Sequence, residues 1–160
     1  MLKKSQKPLP RHKILAISSG GGHLTELLHS LNDTDIIQNN ITYVVFKTDY
    51  TKETLQGLKH YFIIDPHISK VKYLINAIWA LFIYLKVRPN IVVSTGAGIA
   101  IPMILIAKRL GSKIIFIETG ARVTTPSKTG LFIYKYSDLF IVQYKPLLIH
   151  FPKAKLGTLL

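Results

Sequence analysis

One stretch, Ile14-Leu15-Ala16-Ile17-Ser18-Ser19-Gly20-Gly21-Gly22-His23-Leu24-Thr25-Glu26, restricts the fold more than any other part of the chain. An apolar run stops at a serine pair and three glycines, and a histidine then opens an amphipathic segment. The pattern reads as a strand, a tight turn and the N-terminus of a helix. Glycines let backbone approach a ligand closely, and the free N–H groups at a helix start favour an anion. The stretch fits a cradle for a phosphate- or diphosphate-bearing ligand; it also fits an ordinary turn that needs positive φ.

The same alternation continues along the chain. Strands are expected at Lys13–Ser18, Ile41–Phe46, Tyr61–Ile64, Asn90–Ser94, Lys113–Ile117 and Leu139–Val142. Helices are expected at Leu24–Leu31, Thr51–Leu58, Ser69–Val87, Ile99–Leu110 and Leu131–Tyr136, with Arg88-Pro89 stopping the long one and Gly111 suiting a C-terminal cap. The strands are apolar throughout, as in a parallel sheet covered on both faces. The fold class is therefore α/β: one Rossmann-like domain over residues 13–160, its strands most simply ordered 3-2-1-4-5-6, behind a basic lead at residues 1–12. The tail from Tyr144 to Leu160 is apolar and reads either as a last helix on the domain or as a docking segment for a partner.

In that order the loops Ser18–His23, Ser94–Gly98 and Glu118–Arg122, the last extended to Gly130, meet at the topological switch point, where open α/β sheets bind ligands. The dinucleotide fingerprint fits poorly, because from Gly20 the sixth position is Thr25 and Asp49 follows the second strand late. No P-loop, no G-x-S-x-G elbow and no metal-ligand spacing occurs. Titratable residues at this edge are His23, Glu118, Arg122 and Lys128. His23 suits a general base or a local cap. Glu118, ending an apolar strand, could orient a hydroxyl, act as base or hold backbone N–H groups. Arg122 and Lys128 suit phosphate oxygens.

Lys and Arg number 21 against 8 acidic residues, a net charge of +13, which calls for an anionic partner. The basic residues are scattered and no nucleic-acid-binding signature appears, so nucleic acid is not the expected partner. There is no cysteine, which excludes disulfide and thiolate chemistry and fits a reducing cytoplasm. The start of the chain does not read as a signal peptide. Tyr73–Leu85 carries no charge, and it is flanked by Lys70, Lys72, Lys86 and Arg88. A span needs about 20 apolar residues, so this segment is too short to cross a bilayer. With Tyr73, Trp79, Phe82 and Tyr84 between basic ends it suits a membrane interface, as well as plain burial. Ile101–Ile106 would add a second apolar face.

Taken together, Ser18-Ser19-Gly20-Gly21-Gly22-His23-Leu24, Val92-Val93-Ser94-Thr95-Gly96-Ala97-Gly98 with Pro102, Ile117-Glu118-Thr119-Gly120-Ala121-Arg122 and Ser137-Asp138 resemble the membrane-recruiting accessory subunits of two-part GT-B glycosyltransferases. These are the bacterial capsular and exopolysaccharide proteins of PssD/CpsF type and the eukaryotic subunit recruiting the second N-acetylglucosaminyltransferase of the dolichol pathway. More distantly, the chain is similar to the N-terminal half of MurG. The resemblance spans roughly Lys13 to the C-terminus. It implies a chain inactive alone, binding a sugar on a polyprenyl diphosphate at the cytoplasmic face of the membrane and partnered by a separate catalytic subunit with the UDP-sugar site. Without an N-terminal membrane helix, the bacterial type is expected. By carry-over, His23 or Glu118 deprotonates or orients the acceptor hydroxyl. Ser19, Gly20, Gly21, Gly22, Thr95, Gly96, Gly98, Thr119, Arg122 and Lys128 bind the acceptor and its diphosphate, and Lys72, Tyr73, Trp79, Phe82, Lys86 and Arg88 meet the membrane. No metal or cofactor is called for. Two rival readings are a stand-alone NAD(P)-binding Rossmann protein and a purely structural membrane recruiter.

Overall fold

The computed structural model describes residues 12–32, 40–66 and 69–158. Most of the basic lead, part of the connection after the first helix, His67-Ile68 and Leu159-Leu160 lie outside these residues. Seven strands form one sheet: β1 (Ile14–Ile17), β2 (Ile41–Phe46), β3 (His60–Ile63), β4 (Ile91–Ser94), β5 (Lys113–Ile117), β6 (Leu139–Val142) and β7 (Lys155–Leu156). Their order is β3-β2-β1-β4-β5-β6-β7 and every neighbouring pair is parallel. The expected order holds for six strands. The seventh is an addition, created where the tail folds back and Gly157 N–H donates to Val142 O at 3.0 Å. The tail otherwise forms a 3-10 turn over Lys145–Ile149, whose Leu147, with Phe151, is fully buried.

Among the described residues five α-helices connect the strands: α1 (Gly22–Leu31), α2 (Asp49–Thr54), α3 (Lys70–Val87), α4 (Ile101–Arg109) and α5 (Lys128–Ile133). Their apolar spacing divides the core into two layers. Leu24, Leu27 and Leu31 of α1, with Leu55, cover one face over Ala16, Val45 and Ile117. Ala80, Ile83, Tyr84 and Val87 of α3, Met103, Ile104 and Ala107 of α4, and Ile133 of α5 cover the other over Leu15, Val92 and Phe116. At about 25 cal/mol per Å² of apolar surface removed from water, these two layers are the main source of stability.

Polar ties fix the far end of the sheet. Asp138 accepts from Ile114 N–H (2.9 Å) and pairs with Lys108 (2.8 Å) and Lys113 (3.2 Å). Burial pushes the Asp138 carboxyl up, but these hydrogen bonds outweigh it and hold the group at about 2. Gly111, at φ +92°, comes directly after Leu110, the C-cap of α4, where a left-handed residue closes a helix.

Two expectations about apolar surface are corrected here. Tyr84 is buried, with its hydroxyl 2.9 Å from Ser112 Oγ, and takes no part in an outer face. Pro102, Met103 and Ile104 of α4 are packed into the core, so that helix supplies no second exposed apolar face.

Candidate functional site

The carboxyl ends of β1, β4 and β5 are adjacent, and the chain reverses direction of travel across the sheet between β1 and β4. The turn after β1 is made by Gly21, whose φ of +64° and ψ of −141° no L side chain adopts easily. Gly20 lies against α2, where a Cβ would come within 3.2 Å of Thr51 Cγ2. A Cβ at Gly22 or Gly98 would meet nothing within 4 Å, so no protein neighbour demands glycine at either position. Both glycines leave open space above bare backbone. Ser18 is buried, while Ser19 is half-buried at the rim.

His23 is the second residue of α1, which starts at Gly22, two residues before the expected Leu24. Its ring is half-buried, and Nδ1–H donates to the Thr95 carbonyl at 2.9 Å. A carbonyl only accepts, so in the neutral imidazole the lone pair is on Nε2. Thr95 returns the contact, its hydroxyl donating to His23 O at 2.6 Å. Gly96, at φ +115°, makes room for the ring: a Cβ there would lie 3.3 Å from His23 Cε1. Ala97 follows at φ +70°, ψ 149°, a conformation nearly restricted to glycine that costs about 1–3 kcal/mol. Ala97 O then accepts from Ala100 N–H at 3.1 Å, opening the 3-10 turn before α4.

Glu118 is 1% exposed. One carboxylate oxygen accepts from Ser127 Oγ–H at 3.1 Å, while the other is buried and has no donor among the described residues. Burial raises its pKa; the Ser127 hydroxyl, the N–H groups of Thr119 and Ser127 and the Arg122 charge oppose the rise. Ser127 also caps α5 by accepting from Gly130 N–H at 2.8 Å. A Cβ at Gly130 would overlap Glu118 Oε2, so the glycine is what admits the carboxylate. Thr119 is buried nearby, whereas Arg122 and Lys128 are exposed at the rim.

Two residues that the sequence reading passed over join these loops. Glu26, on α1, accepts at Oε1 from Thr119 Oγ–H (3.1 Å) and Gly120 N–H (2.8 Å). Gln143, just past β6, donates to Glu118 O at 3.1 Å. The available signal was spacing: His23 and Glu26 are three apart and share one helix face. Among the described residues no three His, Asp or Glu side chains gather as a metal-ligand set.

The second surface feature is α3. Its inner face is Asn76, Ala80, Ile83, Tyr84 and Val87, and Asn76 donates to Ile64 O at 2.7 Å. Its outer face leaves Leu74, Ile78, Leu81 and Leu85 exposed, with Trp79 51% and Phe82 65% exposed. Lys70, Lys72, Lys86 and Arg88 are exposed around it, while Tyr73 is half-buried. Lys86 Nζ lies 5.3 Å from the Tyr61 ring centroid. No helix among the described residues is long and apolar enough to cross a membrane.

This architecture is similar to that of GT-B glycosyltransferase N-terminal domains. The structure of MurG from Acinetobacter baumannii superposes with a TM-score of 0.74 at 18% identity, covering 93% of this chain and 46% of that one. The UDP-N-acetylglucosamine 2-epimerase from Rickettsia bellii superposes at 0.69 and 16% identity over 89% of this chain and 42% of that one. The chain thus spans less than half of these solved proteins. Residues 63–160 match the family described as "Oligosaccharide biosynthesis protein Alg14 like". The "UDP-N-acetylglucosamine transferase subunit ALG14" of Debaryomyces hansenii is 31% identical over 89% of this chain and 73% of its own length. The human protein of the same name is 26% identical over 94% of this chain and 85% of its own. The chain belongs to the Alg14 family.

Proposed function

We propose that this chain is the accessory subunit of a two-part UDP-sugar-dependent glycosyltransferase. It binds a polyprenyl-diphosphate-linked sugar and brings a separate catalytic subunit to the membrane. The observation that carries the reading is the meeting of three glycine-bearing loops at the switch point of a half-GT-B domain, in a family whose relatives are named as transferase subunits. Bare backbone at Gly21, Gly22 and Gly98 suits a diphosphate, with Ser19, Gly20, Thr95, Gly96 and Thr119 shaping the cradle and the exposed cations Arg122 and Lys128 at its rim.

Two groups could serve the acceptor hydroxyl. With Nδ1 held by Thr95, His23 keeps a lone pair on Nε2 that can accept the proton of the acceptor hydroxyl. Glu118, covered and with a raised pKa, has the second role of fixing the loop or of receiving a proton relayed from the acceptor. In either case the hydroxyl oxygen attacks the anomeric carbon of the UDP-sugar and UDP leaves. The exposed apolar face of α3, with Trp79 and Phe82 between Lys72, Lys86 and Arg88, supports peripheral attachment to the cytoplasmic leaflet. We assign the chain to the bacterial PssD/CpsF type, serving capsular or exopolysaccharide assembly on an undecaprenyl carrier. Coexpression with a small protein carrying a GT-B donor half, supplied with labelled UDP-N-acetylglucosamine and a lipid-diphosphate sugar, tests this. Transfer should require both chains, and full transfer by the partner alone would overturn the proposal.

A further inference from the structure

We propose that Glu26 is a positioning residue of the candidate site: its carboxylate locks the turn after β5 onto the helix that carries His23, so that the two act as one rigid surface toward the acceptor. The inference rests on the acceptor-binding reading above.

The first turns of α1 make two ties to two different loops. His23 and Thr95 bond reciprocally to the β4 loop. Glu26, three residues on, takes two donors from the β5 loop on a single oxygen, the Thr119 hydroxyl and the Gly120 amide. The tie continues along that loop. Thr119 Oγ accepts from Ala121 N–H at 3.3 Å, and Thr119 O accepts from Arg122 N–H at 3.0 Å. Arg122, the exposed cation, therefore has its backbone set by a turn that Glu26 anchors.

Packing at Gly120 accompanies these hydrogen bonds. Gly120 is lodged between two side chains: a Cβ there would come within 3.2 Å of Glu26 Oε1 and 3.3 Å of both Gln143 Nε2 and Oε1. A side chain at position 120 would therefore push against Glu26 and Gln143, which would have to give by a few tenths of an ångström. Nor is Glu26 placed as a stabiliser would be. Among the described residues its other oxygen, which is buried, has no donor, and no salt bridge includes it. Burying an unmatched carboxylate oxygen costs stability. What the residue contributes in exchange is the location of the turn.

The test uses the two-chain enzyme with UDP-N-acetylglucosamine and a synthetic phytanyl-diphosphate N-acetylglucosamine, comparing Glu26→Ala and Glu26→Gln. Glu26→Ala should raise the acceptor KM at least tenfold and leave the donor KM within twofold. Glu26→Gln keeps an oxygen for both donors and should stay within threefold of wild type. In parallel, amide hydrogen exchange on the full chain should speed up at least tenfold at Gly120–Arg122 in Glu26→Ala, with Ile114–Ile117 of β5 as protected as before. Unchanged loop exchange in Glu26→Ala overturns the proposal, as does an equal rise in both KM values with protection lost throughout the sheet. If the wild-type pair transfers no sugar, the functional reading fails instead, and the exchange measurement alone decides the role of Glu26.

Discussion

Replacing Phe82 by alanine measures whether the outer face of α3 enters a lipid surface. A phenylalanine side chain buries roughly 200 Å² when fully covered, and Phe82 is 65% exposed, which leaves about 130 Å² to be withdrawn from water. At about 25 cal/mol per Å² this is about 3 kcal/mol for complete insertion, and about 2 kcal/mol once the methyl kept by alanine is subtracted. Vesicle affinity should therefore fall about 30-fold. Because Phe82 packs outward, the fold should change by less than about 0.5 kcal/mol, so the effect is separable from unfolding. The assay is built into the chain: Trp79 is its single tryptophan, lies on the same face and is 51% exposed. Its emission should shift to the blue on titration with phosphatidylglycerol vesicles, and the titration gives the affinity. Binding should also weaken between 0.1 and 0.5 M salt, since the surrounding Lys70, Lys72, Lys86 and Arg88 act through a screened field. Wild-type affinity in Phe82→Ala, or a Trp79 emission that vesicles do not move, would refute the reasoning.

Three further outcomes follow from the site and the sheet. Gly130→Ala should destabilise the chain by about 1–3 kcal/mol in urea, since the new methyl overlaps Glu118 Oε2 and must displace the carboxylate or α5; the combined Gly130→Ala, Glu118→Ala variant should recover part of the loss. Glu118 has a raised pKa in the fold, so the native state holds the proton more tightly than the unfolded chain; its contribution is complete below the ordinary 4.5 and is lost as pH rises through the folded value. Glu118→Gln should therefore gain on wild type as pH goes from 4.5 to neutrality, and a difference of opposite slope would refute the assignment. Asp138 is the converse case, held at about 2 against an ordinary 3.8, so its contribution is present above 3.8 and disappears as pH falls through about 2. Discounted for its partly exposed partners, Asp138→Asn should cost about 2 kcal/mol at pH 7 and nothing by the acid limit, read from denaturation midpoints.

What the sequence disclosed depended on the range of the interaction that decided each feature. Strand order up to β6 follows from continuous apolar runs joined by helical crossovers, whose handedness leaves few topologies. β7 was out of reach, because Lys155-Leu156 has no strand pattern and exists through pairing with β6 alone. Tyr84 shows the same limit. Within the uncharged run Tyr73–Leu85 the two faces cannot be told apart, and the burial of Tyr84 is settled by Ser112, 28 residues away. At the site, His23 and Glu118 were visible as polar residues ending apolar strands or following glycines. Glu26 looked like an ordinary helix-surface acid, since its partners lie 93 and 94 residues downstream. Nothing about alanine announces the positive φ of Ala97.

That strained residue bears on why the site is organised around one helix. The loops after β1, β4 and β5 end neighbouring strands about 4.8 Å apart, close enough to act together but free to move separately unless something joins them. Gly96 and Ala97, both at positive φ, turn the β4 loop so that Thr95 meets His23 from both its carbonyl and its hydroxyl. The strain of Ala97, about 1–3 kcal/mol, is of the same order as those two bonds and the turn that Ala97 O begins, so the contact with α1 offsets it. Glu26 makes the corresponding connection to β5. On the proposed function, a chain that contributes one side of a shared active site benefits from presenting that side in fixed form before its partner arrives, because freedom left in the loops is lost on assembly. The two ties from α1 remove that freedom where the acceptor is proposed to lie.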